Sequence, residues 1–388
     1  MLALRLTRGT HPLVLVRRLL VAAASAGVGF LLLCTLGYAS GHPAQATGSV
    51  LRLLWCLVPL AATVQFAVAV ARTDPGTRPR PGLSAIGLGP VRLSVLAAVS
   101  TAVSTTLGSM VALLFFLHLR GDLTGLPFDG GAAELLGAEA PLPLAAALVL
   151  LALVPVASAL ASALALRSRP SAPSSDTAEV TDEAGTSRAP SGLPWGVALT
   201  AAGLAVEAYV SRGAAGNPFP LPGRLDAAPA GVLAGWTLTA IGLAMAGPGL
   251  TYLCGQLLQA VRPGAVRLLA GRVLMNEANR IGRPIGVVCA VLSAVIAAVA
   301  LYGTGPRPFG PLTALGAALV LGCTTATLLT SALEAKQARA DTADALLRMG
   351  APASALRSAT ALRTGALLLV FAPLTWVVAE LAALPLTA

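Results

Sequence analysis

Apolar runs of membrane-spanning length alternate with short polar segments along the whole chain. The runs lie at about 19–39, 50–71, 93–117, 142–166, 193–211, 231–259, 284–302, 312–333 and 366–383. Crossing a hydrocarbon core of about 30 Å takes roughly 20 helical residues, so the pattern predicts an all-α, polytopic membrane protein of about nine transmembrane helices. The first run is too long for the core of a signal peptide, which spans about 7 to 15 residues, and reads as a retained helix. Residues 168–192 are rich in Ser, Pro, Ala and acids and carry no aromatic residue, the composition of a disordered linker. The expected organisation is therefore a four-helix unit over 1–167, the linker, a central hairpin over 193–259 and a three-helix unit over 260–388. Within the hairpin, Gly247-Pro248-Gly249 should kink the sixth helix, because proline removes a backbone donor and crowds the preceding turn.

Composition agrees with this class. The chain has 388 residues, of which 56% are hydrophobic and 11% charged, and its mean hydropathy is +0.81. The formal charge of +10 rests on arginine, Lys336 being the one lysine. No basic groove with interleaved aromatic residues is present, so nucleic acid is not an expected partner. Placing the N-terminus in the cytoplasm puts every basic residue on an inner segment except Arg52, Arg120, Arg212, Arg224 and Arg307. An odd number of spans then leaves the C-terminus outside. Lys336 follows Ala335 rather than glycine, so the chain carries no phosphate-binding loop of the GxxxxGK[ST] type. The five cysteines fall singly inside apolar runs as small packing residues, and His11, His42 and His118 lie far apart. No metal site, no cofactor and no catalytic residue is expected, since no span holds a carboxylate pair or a Ser/His arrangement.

The longest polar interruption of the second half runs from Glu334 to Thr364. Its first part predicts a short surface helix, with Asp344 and Arg348 four apart and Leu346, Leu347 and Met349 as an apolar edge. Gly350 should end that helix in the left-handed conformation, and Pro352 should open the next, which carries Arg357 and Arg363 into the last span. The result is an elbow at the foot of a membrane helix.

A shift of 263 positions, the distance from Arg17 to Arg280, also lays Leu83 on Leu346, Gly87 on Gly350, Leu93 on Leu356 and Thr101 on Thr364. Both copies read basic leading segment, span, short loop, span, glycine elbow, span, which predicts a parallel internal repeat. At the elbow, Ala345 to Ser354 reads ALLRMGAPAS, and Leu83 to Val91 reads LSAIGLGPV. The first stretch resembles the ALLRALGAS-type segment of the FtsX-like permease family, the membrane subunits of macrolide and lipoprotein exporters. The second resembles a faded copy of it. The resemblance covers most of the chain outside 168–258 and implies two FtsX-like units flanking the hairpin. Two features differ from the family: the loops that usually hold a large external domain are very short, and the second unit has three helices.

The resemblance implies that the elbows couple to a separate ATP-binding cassette ATPase, in two copies. The contact residues would be Leu346, Leu347, Arg348, Met349, Gly350, Pro352 and Arg357 of the second elbow and Leu83, Ile86, Gly87 and Arg92 of the first. The expected function is that of an ABC transporter permease in the cell membrane, moving an amphiphile such as a lipid, peptide or antibiotic, with membrane lipids as further partners. An ion- or proton-coupled secondary transporter is the alternative. It would need ionisable groups within the spans, where only Glu207 and Glu380 fall, both near outer ends where a side chain reaches interfacial water. A membrane regulator of a cell-envelope hydrolase is the third, against which the lack of an external domain counts.

Overall fold

Ten helices make up most of the described part of the computed structural model, which covers residues 12–44, 46–73, 90–123, 130–133, 136–138, 140–167, 190–212, 230–260, 264–302, 310–350 and 352–387. They are α1 (Pro12–Gly41), α2 (Ala46–Thr73), α3 (Pro90–Arg120), α4 (Leu144–Arg167), α5 (Gly192–Arg212), α6 (Ala230–Gln259), α7 (Ala265–Tyr302), α8 (Pro311–Ala338), α9 (Ala340–Arg348) and α10 (Ala353–Thr387). All except α9 are long and apolar enough to cross a membrane, giving nine candidate spans among the described residues. Their outward faces carry large apolar side chains, among them Val149, Leu107, Leu160 and Leu369. Contiguous apolar surface on that scale fits a hydrocarbon surround, and the protein is a polytopic all-α membrane protein.

The helices fall into two compact units. The first contains α1 to α4 and the start of α8 as far as Thr327; the second contains α5, α6, α7, the rest of α8, α9 and α10. In the first unit α1 packs on α3, and α3 on α4, around Leu33, Cys34, Ala112, Phe116 and Leu151. Small hydroxyls tie the three together. Ser25 Oγ donates to the Thr105 carbonyl at 2.7 Å, and Ser109 Oγ donates to the Leu151 carbonyl at 3.3 Å. The second bond has a local cause: Pro155, four residues on, has no N–H to give that carbonyl, and Ser109 supplies the missing donor. Beyond α3, Gly137 at a φ of +65° turns the chain so that Leu136 is buried against Phe116.

In the second unit α6 is the hub, close against α5 on one side and α7 on the other. Glycine permits both approaches. A Cβ at Gly203 of α5 would lie 2.6 Å from the Thr239 nitrogen, and one at Gly282 of α7 would lie 2.5 Å from the Pro248 Cα. In lipid, where apolar side chains gain little by leaving the solvent, such backbone contact is what holds helices together. Pro248 lies inside a helix that runs unbroken from Ala230 to Gln259. Its flanking glycines face opposite neighbours, Gly247 turning to Gly282 and Gly249 to Leu193.

The helix boundaries recur at the sequence shift of 263: α2 carried forward spans 309–336 against 311–338 for α8, and α3 spans 353–383 against 353–387 for α10. A bond of the same kind joins the matching helices, although not at matching positions, since Ser25 and Thr105 carried forward fall on Val288 and Leu368. Ser293 Oγ of α7 donates to the Thr375 carbonyl of α10 at 3.0 Å, as Ser25 of α1 does to Thr105 of α3. The hairpin does not stand where α4 stands, because α6 packs mainly on α7 whereas α4 packs mainly on α3.

Two boundaries differ from the expected ones. The basic segment before the seventh span belongs to the same helix, α7, because Ala270, Leu274 and Ala278 continue a buried stripe at four-residue spacing. The eighth helix continues through Glu334 to Ala338, so the separate surface helix is only α9.

Candidate functional site

The elbow of the second unit is built by local backbone chemistry. At the end of α9 the Met349 N–H donates to the Ala345 carbonyl at 3.1 Å and the Gly350 N–H to the Leu347 carbonyl at 3.0 Å. Gly350 takes a φ of +91°, which a residue with a Cβ rarely adopts, and so reverses the chain at the end of the helix. Pro352 accepts the first bond of the next helix, from the Ala355 N–H at 3.0 Å. Leu347 is 43% exposed and Met349 75%, and Asp344, Arg348, Pro352 and Arg357 are exposed with them. Leu346 lies in α9, and its side chain is outside the described residues. The end of α9, the turn after it and the start of α10 thus leave two apolar side chains, Leu347 and Met349, and two guanidinium groups, Arg348 and Arg357, accessible.

Asp344 and Arg348 make no ion pair, contrary to expectation. A fully exposed pair at this spacing gains too little to hold two mobile side chains together. Arg348 therefore stays available. Of the first elbow, Leu83, Ile86 and Gly87 lie outside the described residues, while Arg92 is exposed in the first turn of α3.

Ion pairs at the root of α9 were not foreseen. Arg339, in the turn between α8 and α9, places its Nε 3.1 Å from Glu277 Oε1, and Arg280 Nη2 lies 3.7 Å from Glu334 Oε1. The available signal was the single acid, Glu277, within the arginine-rich start of α7.

Glu207 also departs from expectation. It does not reach interfacial water: it is 1% exposed, with its Cγ against Gly235 of α6 and neither carboxylate oxygen hydrogen-bonded. Trp236 Nε1 and Thr239 Oγ1 on the same stretch of α6 are likewise buried without hydrogen-bond partners. Glycine at 235 brings α6 so close that the carboxylate is covered. Glu380 is exposed.

A third feature is a cleft of about 460 Å³ between α3 and α4, at mid-span, lined by Ala102, Thr106, Met110, Leu148, Ala152 and Val156. Its volume lies within the roughly 300 to 1,000 Å³ usual for small-molecule sites, and its walls are mostly apolar. Comparison with protein-family models, known proteins and solved structures finds no match to the chain.

Proposed function

We propose that the chain is the membrane permease of an ABC transporter, coupling a separate ATP-binding cassette ATPase to the movement of an amphiphile. One observation carries the reading: an exposed short helix, α9, with Leu347, Arg348 and Met349 accessible, is joined through Gly350 to a spanning helix. A partner that grips α9 can thereby displace α10. The resemblance at Ala345 to Ser354, and the recurrence of helix boundaries at a fixed shift, support two FtsX-like units. On this reading the motor closes on ATP and shifts the elbows, and the spans exchange between two arrangements. The apolar cleft between α3 and α4 suits the tail of an amphiphile entering from the bilayer, because the spans carry few polar groups to line a hydrated path.

Co-expression of the chain with a candidate cassette ATPase tests the reading directly. The two should co-purify, and ATP turnover in proteoliposomes should rise with lipids or amphipathic peptides. Absence of association, or stimulation by small hydrophilic solutes alone, would sink it. The same reading has the N-terminus in the cytoplasm and the C-terminus outside, so a reporter fused at Ala388 should give an external signal. A cytoplasmic signal would require a different number of spans.

Glu207 favours a second reading, ion- or proton-coupled transport. A carboxyl group held within a span without a hydrogen-bonding partner is a feature of coupling sites. On that reading Glu207→Gln abolishes gradient-driven uptake in proteoliposomes that contain no ATPase. Uptake unchanged by the substitution would set it aside.

A further inference from the structure

Among the described residues no helix packs closely against α9. Its attachment lies at its root. There Arg339 turns its Nε to the Ala335 carbonyl at 3.0 Å and to Glu277 Oε1 at 3.1 Å, and Arg280 reaches Glu334 at 3.7 Å. Glu277 and Arg280 stand three apart, on one face of α7. Glu334 lies in the last turns of α8, and Arg339 is the residue at which α8 gives way to α9. The charges alternate, so each helix offers one acid or base to each pair. The side chains of Glu277 and Glu334 are only 13% and 15% exposed, which limits screening by salt.

We infer that these four residues form a clamp that joins the start of α7, the end of α8 and α9 into one lever. This rests on the reading of α9 as the contact for a motor. A force on α9 then reaches α7 through the Arg339 to Glu277 bond as well as α10 through Gly350. From α7 it passes to the hairpin, because Gly271 and Gly282 of α7 meet Gly255 and Gly247 of α6 backbone to backbone. Close-packed interfaces of this kind move as a body instead of deforming. The clamp belongs to one repeat only: shifted back by 263, the four positions are Val14, Arg17, Ala71 and Gly76, which offer no acid. Glu277, Arg280, Glu334 and Arg339 are thus positioning residues, acting on the spans through α7.

Hydrogen exchange on the purified full-length chain tests the clamp without any partner. Arg339→Ala should speed exchange of the α9 amides by about tenfold, as expected when a local contact that limits opening is lost. Lys336→Ala, an exposed neighbour, should leave it unchanged, and the reciprocal exchange Glu277→Arg with Arg339→Glu should restore protection. With the ATPase bound, Arg339→Ala should retain association yet lose stimulated turnover by about tenfold, an ordinary size for coupling between sites, and the reciprocal pair should recover it. Unchanged exchange in Arg339→Ala, or a reciprocal pair that restores nothing, would overturn the clamp. Turnover falling only in step with association would overturn its role in transmission. Exchange behaving as expected while the wild-type chain binds no ATPase would leave the clamp standing and remove the permease reading.

Discussion

Arg348→Ala and Gly350→Pro should each weaken association with the ATPase far more than substitutions at Ala85 or Gly87, the matching positions of the first elbow. Arg348 is exposed and unpaired at the end of α9, so its guanidinium is free to meet a carboxylate or a carbonyl of a partner. A charge-assisted hydrogen bond contributes about 1.5 to 3 kcal/mol, which corresponds to roughly ten- to a hundredfold in affinity. Gly350→Pro acts through the backbone. Proline holds φ near about −65°, whereas Gly350 stands at +91°, and proline also removes the N–H that closes the last turn on the Leu347 carbonyl. The corner that presents Leu347 and Met349 should then be lost altogether. In the first copy Ala85 stands where Arg348 does, and Pro75, Pro79 and Pro81 precede Gly87. That stretch lies outside the described residues; by sequence its prolines disfavour a regular helix, and a contact lacking helix and guanidinium should bind more weakly. Co-purification of the four variants with the ATPase measures the asymmetry. Equal losses at both elbows would show that the first docks as fully as the second.

Gly282→Leu should strongly destabilise the second unit. Even a Cβ at this position would meet the Pro248 Cα at 2.5 Å and the Gly247 carbonyl oxygen at 2.8 Å, both backbone atoms that cannot rotate away. Leucine must force α6 and α7 apart, and overpacking of this kind costs about 1 to 3 kcal/mol, or more where the neighbour is rigid. Because α6 also holds α5 through Gly235 and Gly242, the loss should spread to the whole hairpin. Thermal unfolding of the detergent-solubilised protein should show a clearly lowered midpoint. Gly365→Leu on α10, in the same unit, where an added Cβ meets nothing within 4 Å, should leave it nearly unchanged. Comparable destabilisation by both substitutions would mean that hydropathy of the spans, and not backbone approach, sets the stability of the unit.

The fold class was legible because each span is a local sum. A run such as 142–166 is apolar enough to enter lipid whatever surrounds it, and its helix must form because no water is present to satisfy the backbone. The elbow was legible for a related reason. Gly350 and Pro352 restrict their own dihedral angles, so the end of α9 and the start of α10 follow from two residues and their order. Even the repeat is carried by the order of local features along the chain.

What the tertiary structure decided concerns pairs of helices. Glu207 reads in sequence as a side chain near the end of a span, free to reach water, and only the approach of Gly235 shows it covered. Glu277 and Arg339 are separated by the later part of α7 and the whole of α8, and nothing in their local sequences pairs them. Gly247 and Gly249 read in sequence only as neighbours of Pro248, and the packing shows that each also faces a different helix at close range. Hydropathy and dihedral preference belong to a residue and its immediate neighbours along the chain. Burial, ion pairing and backbone contact depend on which faces two helices turn to each other, and that choice is made only when the helices within a unit pack.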